Sequence, residues 1–245
     1  MQRFRNSTRP RGVQRPRNPG YLAALLLAAL ALAGPARAEA ERSNTWYAQA
    51  LTRGEAGLSL THFWSKGPWL RAETVVAGHK AVTIVRGKTY YAYDELAAQG
   101  LAIRREPAAI ERQPADRRPF GDEYRILTEQ GAEKIRGEDI LDRPVGVYRI
   151  TDESGKRELW VTEDEARIPL RLEIFDRSRG MHSTTEYINW QSDLHIPDAF
   201  FEPDPRMELE KMDFEEYLKR SAADGSVGPV PVLFLRFLYT RKDDE

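Results

Sequence analysis

The chain has 245 residues, with 37 lysines and arginines against 38 aspartates and glutamates, and no cysteine. The missing cysteine excludes disulfide scaffolds, thiol catalysis, thiolate zinc sites and lipid attachment at an N-terminal cysteine. Seven of the basic residues and none of the acidic ones fall in the first 38 positions, which leaves 30 against 38, a net of −8. An acidic remainder argues against nucleic acid as a partner and against adsorption to anionic headgroups.

The first 38 residues read as an export signal. Arg3, Arg5, Arg9, Arg11, Arg15 and Arg17 precede an apolar run from Tyr21 to Gly34, and Ala36-Arg37-Ala38 follows. A basic region, a short apolar stretch and a small-x-small site are the parts of a cleaved signal peptide. The run is shorter than the roughly 20 residues that span a bilayer. The expected organisation is therefore a signal over 1–38 and a single domain over 39–245. Within that domain, 206–245 forms a C-terminal helix and apolar tail. The expected location is the periplasm.

Strand signals follow in chain order. Leu58 to Trp64 begins with apolar/polar alternation, and Lys66-Gly67-Pro68 breaks it. Trp69 to Val76 is a second extended run. Ala81 to Val85 and Thr89 to Tyr93 flank Arg86-Gly87-Lys88, a hairpin signal, and Leu101 to Arg105 is a further short strand. Glu106 to Phe120 holds three prolines and reads as a loop with one helical turn; Gly121 to Gln130 is a helix closed by Gly131.

Strands resume over 133–138, 145–151, 158–162, 170–175 and 183–190, separated by turn-forming stretches. Short links imply antiparallel pairing. In 170–174 the pattern places Leu170, Leu172 and Ile174 on one side and Arg171 and Glu173 on the other. Phe214 to Arg220 reads as a helix capped by Asp213. Val232 to Tyr239 is strongly apolar, and three placements are open to it: a last strand, a covering helix or a detachable plug. The fold class is mainly β (α+β): a curved antiparallel sheet of about nine to eleven strands with covering helices. So much apolar sheet face is satisfied by closure into a filled barrel, by a sandwich, or by an incompletely filled sheet that holds an apolar guest.

Catalytic signatures are absent from the sequence. His62, His79, His182 and His195 do not pair at metal-ligand spacing, and there is no nucleophile elbow, phosphate loop or dinucleotide fingerprint. The acidic pairs Asp152/Glu153 and Asp164/Glu165 fall in turns. No enzyme activity, cofactor or metal is expected.

Several segments resemble the periplasmic carriers and receptors of outer-membrane lipoprotein sorting. They are Gly67-Pro-Trp-Leu-Arg-Ala-Glu73, Thr89-Tyr-Tyr-Ala-Tyr-Asp94, Ile168-Pro-Leu-Arg-Leu-Glu-Ile174, and Tyr187-Ile-Asn-Trp190 followed by Ile196-Pro-Asp-Ala-Phe-Phe-Glu-Pro203. The order and spacing fit over about Trp46 to Pro205. The resemblance implies a half-barrel whose mouth is covered by helices and whose apolar cavity holds acyl chains. Leu58, Leu60, Leu70, Val76, Val82, Ile84, Tyr91, Tyr93, Val147, Trp160, Leu170, Leu172 and Ile174 are the cavity-wall candidates. Arg71 is the candidate for a headgroup or lid contact.

There are departures from that pattern. Gly67 stands where the carrier has a basic residue before the turn proline, with Lys66 one position earlier. The stretch from Arg104 to Phe120 and the tail after Pro205 also differ. The implied partners are an acyl-bearing lipid or lipoprotein and a membrane-protein donor or acceptor. The alternative function is a regulatory module that senses envelope stress through protein contacts.

Overall fold

A computed structural model describes residues 44–240, except Ala56 and Leu141. The expected signal over 1–38 and the charged tail over 241–245 lie outside the described residues. The strands are β1 (Thr45–Gly54), β2 (Gly57–Lys66), β3 (Trp69–Val76), β4 (His79–Arg86), β5 (Thr89–Asp94) and β6 (Gln99–Arg104). They continue with β7 (Glu133–Ile140), β8 (Arg143–Asp152), β9 (Gly155–Thr162), β10 (Pro169–Asp176), β11 (Met181–Ser192) and β12 (Glu208–Asp213). The helices are α1 (Pro107–Glu111), α2 (Glu123–Glu129) and α3 (Phe214–Asp224).

All twelve strands join one curved sheet in the order β12-β6-β5-β4-β3-β2-β1-β11-β10-β9-β8-β7. Because β12 and β7 are the ends of that order and do not pair, the sheet is neither a closed barrel nor a sandwich. Every neighbour pair is antiparallel except β12 and β6. The short β3–β4 link explains its own register. Ala77 (φ 50°) and Gly78 (φ 85°) both adopt positive φ, the backbone that a two-residue hairpin needs to match strand twist.

β1 and β12 add to the strands expected from the sequence. On its buried side β1 carries Ala48 and Ala50, small residues that leave no bulky period-two pattern. β12 reads Glu-Leu-Glu-Lys-Met-Asp. It is an edge strand rich in charge, which blunts edge-to-edge pairing. It reaches β6 by a long crossover, so no hairpin signal announces it.

The sheet has an inner and an outer face. The inner face carries Ala48, Phe63, Leu70, Ala72, Val85, Tyr90, Leu101 and Ile103 under α3 and the C-terminal segment, in one apolar cluster. α2 covers the inner face further along, where Leu127 meets Leu159, Val161 and Leu172. The outer face has its own cluster: Val82, Ile84 and Tyr93 are closed over by Phe200, Phe201 and Met207 of the 196–209 segment.

One expected face assignment is corrected. Leu170 does not share a side with Leu172 and Ile174. A bulge between Pro169 and Arg171 shifts the register. Leu170 therefore packs with Val145, Val147 and Trp160, while Leu172 packs with Leu159 on the inner face. An extra residue in one strand reverses the alternation on one side of it.

Candidate functional site

The C-terminal segment is neither a strand nor a long helix. From Val227 to Thr240 it runs across the inner face as a strap with one 3-10 turn over Leu235–Phe237. Gly225, with φ 75°, ends α3 and turns the chain into it. Val227, Val230, Phe237 and Leu238 are buried, so apolar burial is what seats the strap.

Polar contacts fix its path. The Arg105 guanidinium, 3% exposed, donates from Nε to the Phe237 carbonyl at 2.5 Å. Its other nitrogens donate to the carbonyls of Gly87 (2.6 Å) and Ala109 (3.3 Å) and to Oε1 of Gln113 (2.7 Å). Burial lowers its pKa only to about 10, so it is charged at neutral pH. Glu106 accepts from the Thr240 amide at 2.7 Å, and its own amide donates to the Leu238 carbonyl at 2.9 Å. The Tyr90 hydroxyl accepts from the Phe234 amide at 3.2 Å. Burial raises the Tyr90 pKa to about 12.

A cavity of about 520 Å³ lies beneath the strap. Phe63 of β2, Leu70 of β3 and Tyr187 of β11 come from the sheet. Pro119, Phe120, Gly121 and Glu123 form one wall, and residues from Leu233 to Tyr239 form the roof. The wall is ordered by stacking: Phe120 lies on Phe63 (5.2 Å) and on Trp190 (5.5 Å). The Arg118 guanidinium sits over the Trp46 and Trp190 rings at 4.9 and 5.1 Å. It also donates to the carbonyls of Gly121 and Ala166. Cation–π contact and carbonyl donation together pin the 118–121 turn.

Polar groups share this lining with the apolar ones, among them Glu123, Tyr187 and Arg236. Glu123 Oε1 accepts from the Tyr187 hydroxyl at 2.5 Å. Glu123 Oε2 is buried and, among the described residues, has no hydrogen-bond partner. Burial pushes the Glu123 carboxyl above its ordinary range, and it raises the Tyr187 phenol well above its own. Arg236, at the cavity rim, is held by Asp122 (3.1 Å) and the Pro119 carbonyl (2.8 Å).

The residues singled out in the sequence are scattered over several places. Leu70 lines this cavity. Leu58, Val76 and Ile174 line a separate hollow of about 550 Å³ at the hairpin tips, and Leu60 is exposed. Leu172 packs beneath α2 on the inner face. Val82, Ile84, Tyr91 and Tyr93 belong to the outer-face cluster, and Val147, Trp160 and Leu170 form another cluster.

Arg71 is on the outer side. It donates to Glu73 at 2.7 Å and to the Phe200 carbonyl at 3.1 Å, and lies 4.6 Å over the Phe200 ring. Lys66 works beside it, donating to the Ile196 carbonyl and to Asp198. Glu123, Arg105, Arg118 and Phe120 carry no sequence signal that separates them from other acids, arginines and aromatics. Phe234 and Phe237 were marked by the apolar run around them.

Among the described residues no group of three histidines or carboxylates is placed to hold a metal, and no helix is long and apolar enough to cross a membrane.

No family model matches the chain, and no curated protein matches it. Solved structures are similar in fold. An uncharacterised conserved protein from Thermus thermophilus aligns at 12% identity over 69% of this chain and 91% of its own, with a TM-score of 0.50. The Pseudomonas aeruginosa MucA/MucB complex aligns at 12% identity over 70% of this chain and 60% of that one, with a TM-score of 0.42. A Vibrio parahaemolyticus domain assigned to outer membrane lipoprotein sorting aligns at 12% over 69% and 93%, with a TM-score of 0.33. At these identities the likeness concerns the sheet architecture alone.

Proposed function

We propose that this protein is an exported, soluble periplasmic lipid-binding protein. It sequesters an acyl chain of a lipid or lipoprotein between its inner sheet face and its C-terminal strap. The observation that carries this reading is the cavity of about 520 Å³ lined by Phe63, Leu70, Phe120 and Phe234. That volume is in the range of about 300–1,000 Å³ usual for small-molecule sites. Ten methylenes removed from water are worth about 8 kcal/mol at about 0.8 each, the size of a micromolar Kd before ordering costs.

Binding rather than catalysis is favoured by the lining, which pairs one carboxyl with one phenol and offers no nucleophile–base pair. Export is supported by the basic, apolar and small-x-small leader, and a sorting role by the segments around Gly67 and Tyr90 that resemble lipoprotein carriers. Exchange with a membrane-protein donor or acceptor completes the proposal, as does a single domain spanning 39–245.

Native mass spectrometry of protein purified from its own envelope tests the reading. The expected result is a lipid adduct that delipidation removes. Ligand-free protein in every preparation contradicts it.

A further inference from the structure

A second hollow, of about 200 Å³, adjoins the cavity at the edge of the strap. The two share Pro119, Arg236, Phe237 and Tyr239. Five arginines line the smaller hollow, Arg112, Arg117, Arg118, Arg125 and Arg236, against one carboxylate, Asp122. This gathering of positive charge stands on a chain whose net charge beyond the leader is −8. Like charges held together repel, and an anion among them relieves the repulsion.

We propose that this hollow takes the phosphate head of a single-chain amphiphile whose acyl chain lies in the adjoining cavity. This deepens the lipid-binding reading and rests on it.

Separate parts of the chain bring the arginines together. Arg112, Arg117 and Arg118 follow α1, Arg125 is on α2 and Arg236 is on the strap. Arg125 and Arg236 take the two oxygens of Asp122, at 3.0 and 3.1 Å. One carboxylate thus holds two guanidiniums side by side and balances only one of them. Both side chains stay accessible, at 36% and 46% exposure. Arg125 also reaches Glu129 at 2.7 Å, a carboxylate that does not line the hollow. Arg117 is exposed and has no hydrogen bond or ion pair among the described residues. Arg118 is held by carbonyls and two indole rings, so it adds charge and not a free donor. Glu123 lines the larger cavity only, and burial shifts it toward the neutral form, which lessens its repulsion of an anion next door.

The head chemistry follows from these groups. Guanidiniums bind oxyanions through paired N–H donors. A phosphate offers three acceptor oxygens and about two negative charges, so it engages more than one arginine at once. A cationic head is repelled. The volume of about 200 Å³ is below the range of about 300–1,000 Å³ for a whole small molecule, and suits a head alone.

The test is isothermal titration of the whole protein, below micellar concentrations, with dodecyl phosphate, monolauroylglycerol, dodecylammonium and inorganic phosphate. In low salt, wild type is expected to bind dodecyl phosphate about tenfold more tightly than monolauroylglycerol, the size of one charge-assisted hydrogen bond, and dodecylammonium least tightly. Salt at about 0.5 M is expected to shrink the phosphate advantage by screening. Inorganic phosphate, which lacks the chain, is expected to bind about a hundredfold or more weakly than dodecyl phosphate. The double variant Arg117→Gln/Arg125→Gln is expected to bring dodecyl phosphate to within about threefold of monolauroylglycerol. Circular dichroism establishes that the variant is folded, and the wild-type panel stands without it.

Equal affinity for the phosphate and glycerol heads in wild type, tighter binding of dodecylammonium, or a phosphate preference that salt and the double variant leave unchanged overturns the phosphate pocket but leaves lipid binding intact. Inorganic phosphate bound as tightly as dodecyl phosphate assigns the hollow to the free ion and overturns the lipid head. No binding of any of the three amphiphiles overturns the lipid-binding reading and this proposal with it.

Discussion

The Arg105 guanidinium donates to the Phe237 carbonyl at 2.5 Å, which ties the residue after β6 to the last turn of the strap across 132 residues of chain. Its other acceptors are also uncharged. A charged group is thus held in the interior by peptide dipoles and one side-chain amide.

Replacing Arg105 by alanine leaves four acceptors without a donor. The expected cost is about 3 kcal/mol, since bonds to charged groups contribute about 1.5–3 each and lost partners add desolvation. Arg105→Lys is expected to recover less than half, because an ammonium cannot reproduce the planar fork. Urea denaturation measures both; equal midpoints for Arg105→Ala and wild type would contradict the latch.

The Glu123 carboxyl gives a pH dependence whose sign follows from its direction of shift. Its folded pKa lies above the ordinary 4.5. Between those values the folded state holds a proton that the unfolded state has released. Stability therefore falls as pH rises through that window, and the loss is complete above the folded pKa. Tyr187, Asp122, Arg236 and Arg118 are titratable and charged neighbours. Glu123→Gln removes the dependence. It is expected to gain stability relative to wild type as pH rises above the ordinary carboxylate range, because the amide cannot ionise. A difference between the two proteins that stays flat with pH would refute the assignment.

Ending the chain after residue 226 removes the strap and uncovers Phe63, Leu70 and Tyr90, which are all buried in the intact protein. An exposed apolar patch of that kind binds hydrophobic dyes and promotes association. Increased dye fluorescence and a lowered urea midpoint are expected. A truncated chain with native stability and no added dye binding would show that the strap does not cover the inner face.

Much of this architecture was legible in the sequence, for reasons visible in particular residues. Trp69–Val76 was delimited at both ends because Pro68 and the Ala77-Gly78 turn bracket it. The α3 start was marked by Asp213, whose Oδ1 accepts from the Glu216 amide at 2.9 Å. β1 escaped because its inner side is alanine. The face of Leu170 escaped because a bulge leaves no mark in an alternating pattern. The site was the least legible part. Alternation separates two faces but does not say which is covered, so Leu70 and Ile84 looked equivalent although they lie on opposite sides. The strap was visible as an apolar run at 232–239, but its placement depends on Arg105 and Tyr90, far away in the chain. Glu123 became distinctive only once folding had removed it from water.

Gly121 tests the cavity wall from another direction. Its φ is 66°, and a Cβ there would lie 2.4 Å from the Trp190 ring. Gly121→Ala combines left-handed backbone strain of about 1–2 kcal/mol with overpacking of about 1–3 kcal/mol. A loss of about 2–4 kcal/mol is expected in urea titration, with a shifted tryptophan emission as Trp190 moves off Phe120. A loss under about 0.5 kcal/mol, the range of neutral surface changes, would mean that the wall is not packed as described.

The central claim, that an acyl chain lies under the strap on the inner face, is tested most directly by contact quenching. Trp190 stacks on Phe120 at the cavity wall, whereas Trp69 packs on Phe201 at the outer face. Titration with a fatty acyl chain brominated at mid-chain should quench wild type and Trp69→Phe strongly, and Trp190→Phe much less. Quenching that survives in Trp190→Phe but disappears in Trp69→Phe, or no quenching in any of the three, would place the chain elsewhere or nowhere.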